Sequence, residues 1–164
     1  MGFGEQYFRD INIEVRKKFS KSTSGIFAFV NSYYNKPYIE EKGAEVNANI
    51  FVADMTYKFS RKQSMRLDAQ HLWTPDDKKN WLASTAEFNV NTHLSFFATD
   101  MYNYGNDEEA HRDHYFNLGG SYTHNKSRFA MSYGRTRGGL LCVGGVCREV
   151  PAATGLTFNL TTSF

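Results

Sequence analysis

The chain has 164 residues and a formal net charge of +2, with 19 basic and 17 acidic side chains nearly balanced. That balance leaves no nucleic-acid footprint, and the length suits one domain. The longest uninterrupted apolar run, Ile26 to Val30, is far too short for a membrane helix.

Only 41% of the residues are hydrophobic, yet 16% are aromatic: 14 Phe, 10 Tyr and 2 Trp. A composition poor in aliphatics and rich in rings favours strands over helices. It also suits a barrel with a polar lumen and aromatic girdles at its rims.

At the N-terminus, Met1-Gly2-Phe3-Gly4-Glu5 lacks the basic start and apolar core of a secretory signal. Gln6 stands where a myristoylation motif has Ser or Thr. An exported form would be mature protein or a piece of a longer one. The first predicted strand sets Tyr7, Ile11, Ile13 and Val15 on one face and Asp10, Asn12, Glu14 and Arg16 on the other. Such alternation is the signature of an extended chain.

Across Val46 to Phe59 the apolar face starts on even positions (Val46, Ala48, Ile50, Val52) and moves to odd ones (Phe51 to Phe59). The shift predicts a bulge at the crossover. Met65, Leu67, Ala69, His71 and Trp73 then oppose Arg66, Asp68 and Gln70. From Leu94 to Tyr104 the even face is apolar except for Asp100, which the pattern does not explain. Phe116, Leu118, Gly120 and Tyr122 follow, then Phe129, Met131 and Tyr133. The last strand, Gly155 to Phe164, sets Leu156, Phe158, Leu160, Thr162 and Phe164 on one face.

The connections alternate in kind. Short polar turns are predicted at 20–24, 60–63, 89–91 and 124–127, and longer loops at 35–43, 74–80, 104–113 and 138–154. An outer-membrane barrel alternates short periplasmic turns with longer external loops in this way. Phe19, Phe59, Phe88 and Tyr122 flank the short turns and, with Phe164, form a predicted rim girdle. Tyr33, Tyr34, Trp73, Trp81, Tyr102, Tyr104 and Tyr115 gather on the long-loop side. Lys18-Phe19-Ser20-Lys21 is echoed by Lys58-Phe59-Ser60-Arg61 as a repeated hairpin turn. Glu14, Arg16, Arg66, Asp68, Glu87 and Arg128 are the charges expected to face the lumen, where opposite signs pair across strands.

The count is about nine strands, eight to ten at the margins. Single-chain bacterial barrels usually have an even number. Either Met1 to Gly4 remains from an upstream strand or one strand is split or missed in the count. The expectation is a single β-barrel domain over residues 1–164 that is the C-terminal piece of a longer barrel rather than a complete small one. The fold class is all-β, an antiparallel up-and-down meander forming an outer-membrane-type barrel or part of one.

Cys142 and Cys147 lie in a Gly-rich loop and make a candidate local disulfide, which an oxidising compartment allows. Two cysteines without histidines are too few for a zinc site. His111, Asp113 and His114 lie in a charged loop read as solvated rather than metal-binding, and His71, His93 and His124 are isolated. The sequence lacks a Gly-x-Ser-x-Gly elbow and a P-loop. No catalytic residue, cofactor or metal is expected, although an outer-membrane hydrolase or acyltransferase can build its site from scattered residues.

Tyr133-Gly134-Arg135-Thr136-Arg137-Gly138, the run Gly144-Gly145-Val146-Cys147-Arg148-Glu149-Val150-Pro151-Ala152 and the terminal strand together resemble the C-terminal region of an uncharacterised Bacteroidota family, a domain of unknown function. The resemblance covers roughly the last 30 residues. It implies an outer-membrane barrel and carries no activity or catalytic residues. The expected partners are outer-membrane lipid and, through the C-terminal strand, the barrel-assembly machinery, with no nucleic acid. The roles left open are porin-like passive transport and a structural or surface role. The alternative is a soluble secreted β-sandwich or lipocalin-like binding module, which would bury the face that a barrel turns to lipid.

Overall fold

The computed structural model describes residues 4–41, 43–76, 78–143, 146–150 and 152–163. Period-two alternation, broken by Ser, Asn and Gly, yields strands β1 (Phe8–Lys18), β2 (Thr23–Tyr34), β3 (Val46–Lys58), β4 (Ser64–Trp73), β5 (Trp81–Asn89) and β6 (Leu94–Tyr102). They continue as β7 (His114–His124), β8 (Ser127–Thr136), β9 (Gly139–Val143), β10 (Val146–Val150) and β11 (Ala153–Thr162). All but β9 and β10 form one nine-stranded sheet in the order β1-β2-β3-β4-β5-β6-β7-β8-β11. The fold is the predicted all-β antiparallel meander. The sheet does not close on itself, and β1 and β11 are its two edges.

The short turns share one device. The Ser20 hydroxyl accepts from the amides of Ser22 and Thr23 at 3.1 and 3.0 Å. Ser60 does the same for Lys62 and Gln63 at 3.2 and 3.1 Å, and Asn91 for His93 and Leu94, both at 2.8 Å. The residue before each, Phe19, Phe59 or Val90, donates its amide to the carbonyl four residues on. Side chains that bond their own backbone two residues ahead stabilise tight turns. The sequence echo around Phe19 and Phe59 is thus one turn geometry used three times, the third around Val90. The turn between β7 and β8 instead places Asn125 at φ 51°, a left-handed conformation that Asn tolerates.

The long loops carry their own structure. Asn35 caps a short helix, α1 (Lys36–Glu40), accepting from the Tyr38 amide at 3.2 Å. Thr74, buried in the β4–β5 loop, donates its hydroxyl to the Asn47 carbonyl at 2.9 Å and its amide to the Asn80 Oδ1 at 3.0 Å.

Two expectations are corrected, and one unexplained residue finds its partner. The β3 bulge is absent: β3 pairs in unbroken register with β2 from Tyr34↔Val46 to Thr23↔Tyr57, and with β4 from Asn49↔Trp73 to Lys58↔Ser64. The change of parity arises because β3 is apolar on both faces, at different ends. The 138–154 segment is not only a loop, since β9 and β10 pair in it as a hairpin. Asp100 has its reason in space. Its Oδ2 lies 2.8 Å from His114 Nδ1 on β7, and the His114 ring stacks on Tyr102 at 4.0 Å.

Candidate functional site

Directly opposed residues of an antiparallel pair point to the same side of the sheet, so the register assigns every strand side chain to a face. One face runs through Ile11, Ile13 and Val15 on β1, Phe29 on β2 and Phe51 on β3. It continues through Leu67 on β4, Leu82 and Phe88 on β5 and Phe96 on β6. Leu118, Met131 and Phe158 carry it to the far edge. Among the described residues, every large hydrophobic side chain that is exposed within the nine-stranded sheet lies on this face, Phe8 excepted.

The other face is polar, and it holds the buried strand side chains Ala48, Asp68 and Ser121. In a single layer, a side chain is covered only where its neighbours lean over it. Arg137, just past β8, holds its guanidinium 4.5 Å over the ring of Trp81 on β5, three strands away. Neighbouring strands lie roughly 4.8 Å apart, so the sheet curls toward its polar side. The apolar face is therefore the outer, exposed one. This inverts the arrangement of a water-soluble sheet, in which the apolar face is the covered one.

The six predicted charges all lie on the polar side. Glu14 pairs with Arg16 on the β1 edge. Arg66 reaches Asp54 on β3, with Nε and Nη2 at 2.7 and 2.6 Å from the same Oδ2. Asp68 accepts from Gln70 at 3.0 Å, Glu87 from Asn89 at 3.3 Å, and Arg128 donates to Ser121 at 3.0 Å. Sequence reading missed Asp54, whose place between Ala53 and Met55 hid it within an apolar segment.

Four of the predicted rim aromatics stand at the short-turn end, and Phe164 lies outside the described residues. Phe88 and Tyr122 are on the apolar face. Phe59 bridges Tyr57 and Phe88, with ring centroids at 4.9 and 6.1 Å. The Phe19 ring lies over Gly25, where a Cβ would approach it to 3.0 Å. The long-loop aromatics divide. Tyr33, Trp73 and Tyr102 belong to the apolar face, whereas Tyr34, Trp81 and Tyr115 turn to the polar one. His71 Nε2 reaches the Tyr104 hydroxyl at 2.5 Å. Outside the strands, the Tyr7 phenol is held above its ordinary pKa chiefly by a hydrogen bond with Tyr38, against whose ring it packs edge-on at 4.6 Å.

His111, Asp113 and His114 take separate partners: Glu108 at 2.7 Å, a bidentate Arg135 at 2.9 and 3.0 Å, and Asp100. Cys142 and Cys147 are opposed in the β9–β10 register. At the long-loop end of the polar face, a cavity of about 270 Å³ opens between β3 and β6 under Lys78, Lys79 and Arg137. No helix among the described residues is long and apolar enough to cross a membrane, which says nothing of crossing by strands.

The model of a family of unknown function (DUF6029) matches residues 1–164. Neither the curated proteins nor the solved structures contain a match to the chain.

Proposed function

The chain belongs to this family of unknown function, DUF6029, and we propose that it forms the wall of a β-barrel in a bacterial outer membrane, with a passive-transport or structural role. The observation that carries this reading is the inverted sheet: an apolar face exposed across nine strands, and a polar face that holds the buried strand side chains Ala48, Asp68 and Ser121. The nine strands are 9 to 13 residues long, and a tilted membrane strand needs about 9–11. Apolar area of this extent would drive aggregation in water but is the ordinary outer surface of a barrel in lipid. A soluble sandwich needs a second layer over that face, and the nine long strands among the described residues form one sheet.

A membrane leaves no strand edge unpaired. β1 and β11 both run from the long-loop end to the short-turn end, so direct pairing between them would be parallel. Antiparallel closure takes an odd number of further strands. Expression of the full-length gene product with a signal peptide, followed by fractionation and heated and unheated gels, tests the reading. The expected result is a membrane-bound, heat-modifiable band. Protein wholly in the aqueous periplasm without such a band overturns it.

The same compartment would oxidise Cys142 and Cys147, which are paired in the β9–β10 register. Protein extracted under non-reducing conditions should take up no alkylating agent at either cysteine until a reductant is added. Ready labelling of both before reduction would remove the disulfide from the reading.

A further inference from the structure

The cavity at the long-loop end has a chemistry that a water-filled lumen does not require. The short-turn half of the polar face carries Asp54, Arg66, Asp68 and Glu87. At the other end the same face turns apolar: Val46, Ala48, Ile50, Leu72, Ala83 and Met101 floor the cavity. These residues come from four adjacent strands. This is the even-numbered apolar stretch of β3 that imitates a bulge in the sequence.

The mouth of the cavity is cationic. Among the described residues, Lys78, Lys79 and Arg137 stand around it with the carboxylate of Asp76. Asp76 Oδ2 accepts the Asn47 amide at 3.0 Å, and Lys79 Nζ is neutralised by Asp107 at 2.5 Å. Among the described lining residues, Lys78 and Arg137 supply the remaining positive charge. The Arg137 guanidinium lies over the Trp81 ring. A guanidinium held face-on by a ring keeps its edge donors in plane, where a carboxylate can take two of them.

We propose that this cavity binds a small amphipathic carboxylate, its apolar body on the β3–β6 floor and its anion at Arg137 and Lys78. The volume of about 270 Å³ lies just under the range usual for drug-sized ligands, about 300–1,000 Å³. The body is therefore limited to about one ring or a short chain. The assignment rests on the polar face alone, so it stands or falls separately from the lipid contact of the opposite face.

Trp73→Phe leaves Trp81 as the only tryptophan of the two in the sequence, a reporter inside the site. Phenylacetate titrated into this protein should change Trp81 emission saturably. Phenylacetamide, of the same shape without the charge, should bind about ten-fold more weakly, as expected for loss of a charge-assisted hydrogen bond. Arg137→Gln, outside the sheet, should weaken phenylacetate by a similar factor. Ala83→Phe, which fills the floor, should abolish the response while circular dichroism shows the strands intact. No saturable response in the Trp73→Phe protein overturns the proposal. So does equal binding of acid and amide, or unchanged affinity in Arg137→Gln or in a folded Ala83→Phe.

Discussion

Arginine in place of Leu118 should destabilise the protein in lipid vesicles by about 2–4 kcal/mol, whereas arginine in place of Tyr122 should cost about 0–1 kcal/mol. Both residues lie on β7 and on the apolar face, and their exposures, 54% and 48%, are nearly equal. Contact with the protein's own side chains therefore does not separate them. Depth in the bilayer does. Leu118 sits near the middle of β7, between Ala98 and Tyr133. Tyr122 sits at the short-turn end, between Leu94 and Phe129, where a guanidinium can reach the headgroups. In water on an exposed face, both substitutions would be nearly neutral, and in a covered sandwich core both would be severe. Denaturant-induced release from vesicles, followed by tryptophan emission, measures the difference. Equal losses at the two positions would sink the lipid-facing reading.

The sheet was legible in the sequence because its alternation is local. Each strand declares itself in five or six residues, as Met65 to Trp73 does, and the turn chemistry of Ser20, Ser60 and Asn91 lies in single short segments. What was hidden depends on partners far along the chain. Asp100 looks like an error in an apolar face until His114 is placed on the next strand. The apolar stretches of β3 look like a slipped register because sequence alone gives no sign that a polar face can carry an apolar floor. The cavity needs Arg137 to meet Trp81, and the sheet's curl, not its alternation, brings them together. The β9–β10 hairpin was missed because its Gly-rich sequence carries a loop's composition, and only cross-strand register sets Cys142 opposite Cys147.

Valine in place of Gly134 should cost about 1–3 kcal/mol, the usual range for overfilling a packed site. The residue opposite it should accept the same change. A Cβ on Gly134 would come 2.4 Å from the Phe116 carbonyl oxygen and 2.7 Å from the Asn117 Cα. These are main-chain atoms of β7, so no rotamer change relieves the clash and the two strands must part. Gly155 faces Gly134 directly on the edge strand β11, and nothing lies within 4 Å of its Cβ position. There valine removes the entropic cost of a strand glycine, a gain of about 0.5–1 kcal/mol, and adds a side chain suited to strands. Denaturant midpoints of the two variants should therefore move in opposite directions. A Gly155→Val loss as large as that of Gly134→Val would mean that something covers the polar side of β11. The same logic explains why small residues collect here: Gly119, on the polar face of β7, would place a Cβ 2.7 Å from the Phe97 ring. One large side chain per few glycines lets β6, β7 and β8 bend over their polar face, and a β-branched residue at Gly134 should open that bend first.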